Sequence, residues 1–116
     1  MQGRAIARNI GTSAQKMRLV IDQIRHRDVN EAYSILQFSK KAAATPIDKA
    51  LRSAVANAVN KADEAGEALD VDDLWVKEAF VDEGPTLRRF RAAAMGRATP
   101  RRKRSSHVTV VVGKKE

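Results

Sequence analysis

Apolar residues recur in the first half of the chain with the spacing of amphipathic helices. The first stripe falls at positions i, i+3, i+4 and i+7, which share one face of a helix, and consists of Met17, Val20, Ile21 and Ile24. Thr12 and Gln15 precede it with the spacing of a capping box, in which the hydroxyl accepts a backbone N–H and the amide reaches back. The pattern therefore predicts a helix that begins after Thr12.

The same periodicity predicts two further helices. Asp28 and Glu31 form a second start signal, and the stripe that follows consists of Val29, Ala32, Tyr33 and Leu36. A third helix is expected to begin near Thr45-Pro46, because proline suits a first helical position; a start near Ser39 would instead put Pro46 inside the helix and kink it. Its long alanine-rich face, which would allow close packing, consists of Ile47, Ala50, Leu51, Ala54, Val55, Ala58, Val59 and Ala62.

After Gly66 the pattern changes to that of short β-strands. In "HVTVVV" (107–112), valines at every second position alternate with His107, Thr109 and Val111, which is the period of a strand. "LWVKEAFV" (74–81) is β-branched and aromatic but alternates poorly, and "GRAIARN" (3–9) is compatible with a third, edge strand. The predicted fold class is α+β, with three helices packed on a small three-stranded antiparallel sheet.

Residues 81–107 join the two stronger strands and are too many for a tight turn and too polar for a core. Folded as a β-hairpin, about 13 residues on each side would reach roughly 40 Å. "RRFRAAAM" (88–95) also contains good helix formers, so a short basic helix is an alternative, although Gly96 and Pro100 would interrupt it. We favour a long basic β-hairpin arm at 81–107 within a single domain of residues 1–116.

Charge is distributed in zones along the chain. Residues 88–104 contain eight basic side chains and no acidic one, which equals the formal net charge of +8 of the whole protein. Residues 62–87 contain nine acidic side chains and one basic, whereas residues 1–61 contain eleven basic and four acidic. An isoelectric point near 10.3 indicates a polyanionic partner, with nucleic acid as the first candidate.

The sequence offers little for catalysis, metal binding or membrane insertion. It has no cysteine, which is compatible with a reducing cytoplasm, and its two histidines, His26 and His107, belong to no acid–base constellation. The acidic zone lacks the alternating ligands of a calcium loop, and no signal peptide or membrane-spanning stretch is present. We therefore expect no enzyme, cofactor, metal, small-molecule substrate or membrane partner.

Two groups of basic residues are candidates for phosphate contacts. Seven of the eight basic residues in 88–104 are arginine, which binds phosphate bidentately; the group consists of Arg88, Arg89, Arg91, Arg97, Arg101, Arg102, Lys103 and Arg104. The second group surrounds the first predicted helix and consists of Arg4, Arg8, Lys16, Arg18, Arg25 and Arg27. A merely solvated helix face is an equally good interpretation of this second group. The shortage of aromatic residues favours binding to folded RNA by shape and phosphate contacts over a stacking platform for single strands.

The chain resembles the family of the bacterial large-subunit ribosomal protein L twenty-two along nearly its whole length. The resemblance lies in "TSAQKMRLVIDQIR", "SAVANAVN", "VKEAFVDEGPTLRR", "GRA" and "KRSSHVTVVV", in the family's order and spacing. It implies rRNA binding, subunit assembly and a hairpin tip that lines the nascent-peptide exit tunnel. The implied tip consists of Arg89, Phe90, Arg91, Ala92, Ala93, Ala94, Met95, Gly96 and Arg97. With the resemblance, the predicted rRNA-binding set is completed by Ser13, Lys40, Lys41, Ser106 and His107.

From these observations we expect a cytoplasmic ribosomal protein that is a monomer within the ribosome. Its expected partners are large-subunit rRNA, neighbouring ribosomal proteins and the nascent peptide. The rival hypothesis is a DNA-architectural protein that inserts a basic β-arm into the minor groove, with Met95 or Pro100 as the wedge. A small RNA-modifying enzyme is disfavoured, because the chain has no acid–base constellation.

Overall fold

The computed structural model describes residues 2–92 and 98–114. Their elements are β1 (Gln2–Ile10), α1 (Ala14–Ile24), α2 (Val29–Phe38), α3 (Ala44–Glu64), a 3-10 turn (Val71–Asp73), β2 (Leu74–Glu83), β3 (Leu87–Ala92), β4 (Ala98–Lys103) and β5 (Ser106–Lys114). In this part of the chain, three helices accompany a three-stranded antiparallel sheet of order β1-β5-β2. The predicted α+β fold is confirmed, and "GRAIARN" does form an edge strand.

A β-bulge explains why "LWVKEAFV" alternates poorly. The register of β2 against β5 shifts between Val76 and Glu78, so that one residue more lies on β2 than on its partner. The extra residue changes which positions face the helices, and the buried set of β2 becomes Leu74, Val76, Ala79 and Val81. A strict period of two would have sent the last two of these side chains to the opposite face.

The core lies between the sheet and the helices, and the stripes predicted from periodicity form it. Met17, Val20, Ile21 and Ile24 are at most 1% exposed, and nearly all of the predicted face of α3 is buried, with Val59 packed at its margin. From the sheet, β5 contributes Val108, Val110 and Val112. Burial of these aliphatic side chains is the main favourable contribution to folding.

Gly3 shows why the alanine-rich face of α3 matters. A Cβ atom at this position would overlap with the carbonyl oxygen of Ala54 and lie 2.7 Å from the Cβ of Ala58. The backbone of β1 therefore touches α3 directly, which requires a glycine on the strand and alanines one turn apart on the helix. The Nδ2 of Asn57 fixes the same contact by donating to the carbonyl of Arg4 at 2.8 Å.

Two predicted helix starts are corrected by one or two positions. The N-cap of α1 is Ser13, whose hydroxyl accepts from the N–H of Lys16, and not Thr12; the carbonyl of Thr12 instead accepts from the hydroxyl of Ser106. α3 begins at Ala44, which puts Pro46 third in the helix. Proline is tolerated there because the N–H groups of the first turn have no partner within the helix.

Strands β3 and β4 continue the β2–β5 ribbon outward. Leu87 pairs with Lys103 and Ala92 with Ala98 in an antiparallel register, so residues 87–92 are a strand and not the alternative basic helix. The Cα atoms extend 66 × 27 × 17 Å along the principal axes, an elongated shape that agrees with a projecting arm. Of the tip implied by the resemblance, Ala93, Ala94, Met95, Gly96 and Arg97 lie outside the described residues.

Candidate nucleic-acid interface

The arm joins the sheet at two short segments, 84–86 and 104–105, which we call the junction. Here the N–H of Gly84 donates to the carbonyl of Ser105 at 3.0 Å, and the hydroxyl of Ser105 donates to the carbonyl of Pro85 at 2.6 Å. A Cβ atom on Gly84 would lie 2.7 Å from that hydroxyl oxygen. The two segments of the junction are therefore held close together where the arm leaves the sheet.

Two adjoining clefts lie between the junction and the N-terminus of α1. The first encloses about 400 Å³ and is lined by Ser13, Ala14, Gln15, Glu83, Gly84, Thr86, Arg104 and Ser105. The second encloses about 720 Å³ and is lined by Gly11, Thr12, Ser13, Gln15, Lys16, Ala42 and Arg104. The lining residues of the second cleft that the structure describes include two cations, Lys16 and Arg104, and no carboxylate.

The N-terminus of α1 adds to the positive potential of these clefts. The first N–H groups of a helix have no carbonyl partner within it, and the aligned peptide dipoles put a partial positive charge at this end. Ser13 caps the N–H of Lys16 at the long distance of 3.5 Å. Lys16 and Arg104 are both exposed, and neither belongs to an ion pair between described residues. The second cleft thus suits a phosphate group chemically, whereas the carboxylate of Glu83 lies in the first.

Lys40 and Lys41 lie on the same side of the molecule. They follow α2 in the connection to α3, and Ala42 of that connection lines the second cleft. Both lysine side chains are exposed. Of the predicted contacts, Ser13, Lys16 and Arg104 line these clefts, whereas Lys41 lines the groove between α2 and α3 with Asp48 and Arg52.

Arg18 and Arg25, also predicted to contact RNA, are bonded within the protein. The Nε and Nη2 atoms of Arg25 donate to the carbonyl of Ala79 at 2.9 and 2.8 Å, and its Nη1 donates to Asp22 at 2.7 Å. The Nη2 atom of Arg18 donates to the carbonyl of Val81 at 3.0 Å. Both carbonyls lie on the free edge of β2, an edge strand that would otherwise present unpaired acceptors.

The loop that follows α1 covers the rest of this edge. The N–H of His26 donates to the carbonyl of Val76, whose own N–H donates to the carbonyl of Arg27. The side chain of Arg27 donates to the carbonyl of Gln23 at 3.0 Å and to Glu31 at 2.7 Å. The side chain of Arg25 and the backbone of His26 and Arg27 therefore complete the sheet edge, which no local sequence signal would have revealed.

Arg4 and Arg8 are separated from the cations of α1. They alternate along β1 with Gly3 and Ala5, which are buried against the helices, so they lie on the opposite face of the sheet. The six cations of the predicted second group therefore do not form one surface.

Ser106 and His107 have partners inside the protein. Ser106 is fully buried, and its hydroxyl donates to the carbonyl of Thr12 at 2.9 Å, so we leave its side chain out of the interface. The Nδ1 atom of His107 accepts from the N–H of Asn9 at 3.0 Å, within the irregular register of β1. In the neutral ring the Nε2 atom then carries the hydrogen, and it is the nitrogen with which His107 would meet a phosphate.

In the arm, the backbone places Arg88, Arg89, Arg91, Arg101, Arg102 and Lys103 on the paired strands β3 and β4. Arg88 pairs with Arg102 and Arg89 with Arg101 in the register. The backbone register therefore brings basic positions opposite one another along the arm.

The carboxylates of the acidic zone from 63 to 73 occupy the other end of the sheet, whereas Asp82 and Glu83 lie at the end where the arm begins. Asp72 and Asp73 directly precede β2, whereas the arm leaves from its far end, about 30 Å away at roughly 3.3 Å per residue. Acidic residues from 63 to 73 are exposed, and Asp72 accepts from the Nδ2 of Asn30 at 2.6 Å. The end beside Asp72 and Asp73 is therefore the acidic end, and the end at which the arm begins is the basic end, where Lys16 and Arg104 lie together with the carboxylates of Asp82 and Glu83.

One further cation is paired in the groove between α2 and α3. The guanidinium of Arg52 lies 5.4 Å from the centre of the Tyr33 ring and donates to Asp48 at 3.0 Å. Burial raises the pKa of Tyr33 above its ordinary value, opposed by the charge of Arg52. The hydroxyl is thus neutral at physiological pH, and this groove offers less free charge than the junction.

Among the residues that the structure describes, no helix has the length and hydrophobicity needed to span a membrane. In the same part of the chain, no group of three or more His, Asp or Glu side chains is placed to hold a metal ion.

Comparison with known proteins identifies the family. Residues 5–113 match the family described as ribosomal protein L22p/L17e. The chain belongs to this family. It is 52% identical over 116 residues to the large ribosomal subunit protein uL22 of Bifidobacterium longum (strain DJO10A), covering all of this chain and 98% of the relative. It is 54% identical over 112 residues to the protein of the same name from Ligilactobacillus salivarius (strain UCC118), covering 97% of this chain and 93% of the relative.

Family membership confirms the resemblance seen in the sequence. It also confirms the assignment to the ribosomal proteins of the large subunit rather than to the enzymes. Residues that sequence reasoning missed at the clefts include Gly11, Gln15, Gly84 and Thr86. None of them is charged, and only their position beside Lys16 and Arg104 brings them to the interface.

Proposed function

We propose that the protein binds large-subunit rRNA with its arm and with the junction clefts, and that it supports assembly of the subunit. The observation that carries this proposal is the distribution of charge along the sheet. Exposed cations lie beside a helix N-terminus where the arm begins, with Asp82 and Glu83 as the carboxylates near them, and six exposed carboxylates from 63 to 73 lie at the other end. RNA at the basic end would release counterions from its phosphates, while the acidic end would face away from it.

In this function, residues 1–116 would act as a single domain and residues 81–107 as an arm within it. The tip of the arm, from Arg89 to Arg97, would line the exit tunnel for the nascent peptide, and the arm strands would lie in RNA. The small side chains of Ala92, Ala93, Ala94 and Gly96 support this role, since a thin tip can enter a narrow passage.

The experiment separates the two parts of the arm. Replacing Arg101, Arg102, Lys103 and Arg104 with alanine should weaken rRNA binding and flatten its salt dependence, because each lost phosphate contact removes about 0.7–0.9 from the log–log slope. A control with lysine at 101, 102 and 104 keeps the charges and should keep the slope. Deletion of residues 91–95 should leave binding and incorporation into subunits intact but change translation of a stalling peptide.

Incorporation of both variants is measured in purified subunits, beside translation of the stalling peptide. If the tip deletion blocks incorporation while the alanine variant incorporates normally, the assignment of roles is reversed. The rival DNA-architectural function is tested by competition between folded rRNA and duplex DNA at one salt concentration. Preference for the duplex would reject the ribosomal proposal.

A further inference from the structure

Outside residues 87–103, Phe38 is the most exposed large apolar side chain that the structure describes. It is 81% exposed, compared with 57% for Leu19, 41% for Ile6 and 38% for Phe80. It is the last residue of α2, directly before the connection that contains Lys40 and Lys41. We propose that the Phe38 ring stacks on an unpaired base of large-subunit rRNA, while Lys40 and Lys41 bind neighbouring phosphates. This inference rests on the proposed function and adds a specific contact to it.

The fold does not explain an aromatic residue at this position. α2 is anchored in the core by Val29, Ala32 and Leu36, which are at most 4% exposed. Phe38 follows Leu36 by two residues, which is a rotation of about 200° around the helix and points its side chain away from the core. Exposure of an apolar ring to water is unfavourable, so a polar residue would suit this position better in the protein alone.

The surroundings of Phe38 favour a nucleic acid as the partner. Lys40 and Lys41 are exposed, and neither belongs to an ion pair between described residues. Ala42 of the same connection lines the cleft with Lys16 and Arg104, and Lys41 lines the neighbouring groove, in which Asp48 is already paired with Arg52. An apolar protein surface would gain little from so many cations, whereas a nucleotide offers both a flat π-face and a phosphate.

The spacing also fits a single nucleotide or two adjacent ones. Three residues of extended chain span at most about 11 Å, so the ring and both ammonium groups lie within reach of one stretch of RNA backbone. Stacking is tolerant of sequence because every base has a π-face, and folded RNA exposes such bases in loops and bulges. The class of ligand is therefore an unstacked base in folded RNA.

The test measures binding of the whole protein to deproteinised large-subunit rRNA over a range of salt concentrations. Phe38→Ala should weaken binding about 5- to 150-fold at constant salt, since one stacked base contributes on the order of 1–3 kcal/mol and 1.4 kcal/mol is a factor of ten. The salt slope should stay unchanged, because stacking releases no counterions. Phe38→Trp should bind at least as well as the wild type, and Phe38→Leu should bind like the alanine variant.

Two controls accompany these variants. Leu19→Ala removes the next most exposed apolar side chain and should change affinity less than twofold. Replacing Lys40 and Lys41 together with alanine should lower the salt slope by about 1.4–1.8, which is twice the value for one phosphate. Denaturant unfolding of Phe38→Ala should match the wild type, since the ring is exposed.

The outcomes distinguish this inference from the function on which it rests. If the wild-type protein does not bind rRNA, the proposed function fails. If the wild type binds and Phe38→Ala binds equally well, only the stacking contact is rejected. Full affinity of Phe38→Leu would likewise reject it, since a flat ring is then not required. Normal rRNA binding by Phe38→Ala combined with loss from assembled subunits would point to a protein partner and overturn the inference.

Discussion

The two ends of α1 contain similar cations in different situations. At the C-terminal end, Arg25 donates to Ala79 and Asp22, and Arg27 donates to Gln23 and Glu31. At the N-terminal end, Lys16 faces an open cleft beside Arg104. The first end closes a sheet edge, while the second offers its charge to a partner. A count of basic residues along a helix therefore overestimates the charge available for binding.

The largest effect is expected from a substitution between the two ends. Ile21 is fully buried in the middle of α1, and Ile21→Asp would put an unpaired charge into the core at a cost of about 3–5 kcal/mol. This is a large part of the stability of a small domain, so both ends should be lost together. Thermal unfolding measures the effect, with Leu19→Asp at an exposed position of the same helix as the control. Equal stability of the two variants would show that α1 is not packed as described.

The next largest effect on stability is expected at the C-terminal end of α1. Arg25→Ala removes two hydrogen bonds from a charged group to the part-buried carbonyl of Ala79, so the free energy of unfolding should fall by about 1.5–3 kcal/mol. Arg27→Ala removes an exposed ion pair with Glu31 and should cost at most about 1 kcal/mol. Denaturant titration compares the two variants. If Arg25→Ala keeps full stability but loses rRNA affinity, Arg25 belongs to the interface after all.

A smaller effect on stability is expected at the N-cap of α1. Ser13→Ala removes the acceptor for the N–H of Lys16, and because the bond is long, the loss of stability should be near the low end of capping effects, about 0.5–1 kcal/mol. Thr12→Ala keeps the backbone carbonyl that accepts from Ser106 and should cost less. Unfolding of both variants decides which hydroxyl caps the helix; a greater loss for Thr12→Ala would restore the start predicted from the capping-box spacing.

The smallest effect on stability is expected for Lys16→Ala. An exposed lysine without an ion pair contributes no more than about 0.5 kcal/mol to folding, so the unfolding curve should hardly change. The salt slope of rRNA binding should nevertheless fall by about 0.7–0.9, the value for one phosphate contact. An unchanged slope would show that Lys16 contacts no phosphate of the rRNA and would contradict the proposed role of the cleft that it lines.

The amino-acid sequence by itself determined the elements, the family and the division of charge. Three features could be predicted because each depends on residues that are close together in sequence. They are the stripe from Met17 to Ile24, the alanine-rich face of α3 and the alternating valines of β5. The family motifs are equally local, and the acidic and basic zones are a property of the order of residues along the chain. These features survive in any correct fold of the chain.

Only the tertiary structure decided which polar groups have hydrogen-bond partners within the protein. Arg25 and Ala79 are 54 residues apart in sequence, and Ser106 is 94 residues from Thr12, so no periodicity could have paired them. The bulge in β2 likewise depends on its partner β5, since a register exists only between two strands. A charge becomes available for binding when no nearby acceptor claims it, and that condition is set by residues that the fold brings together from distant parts of the chain.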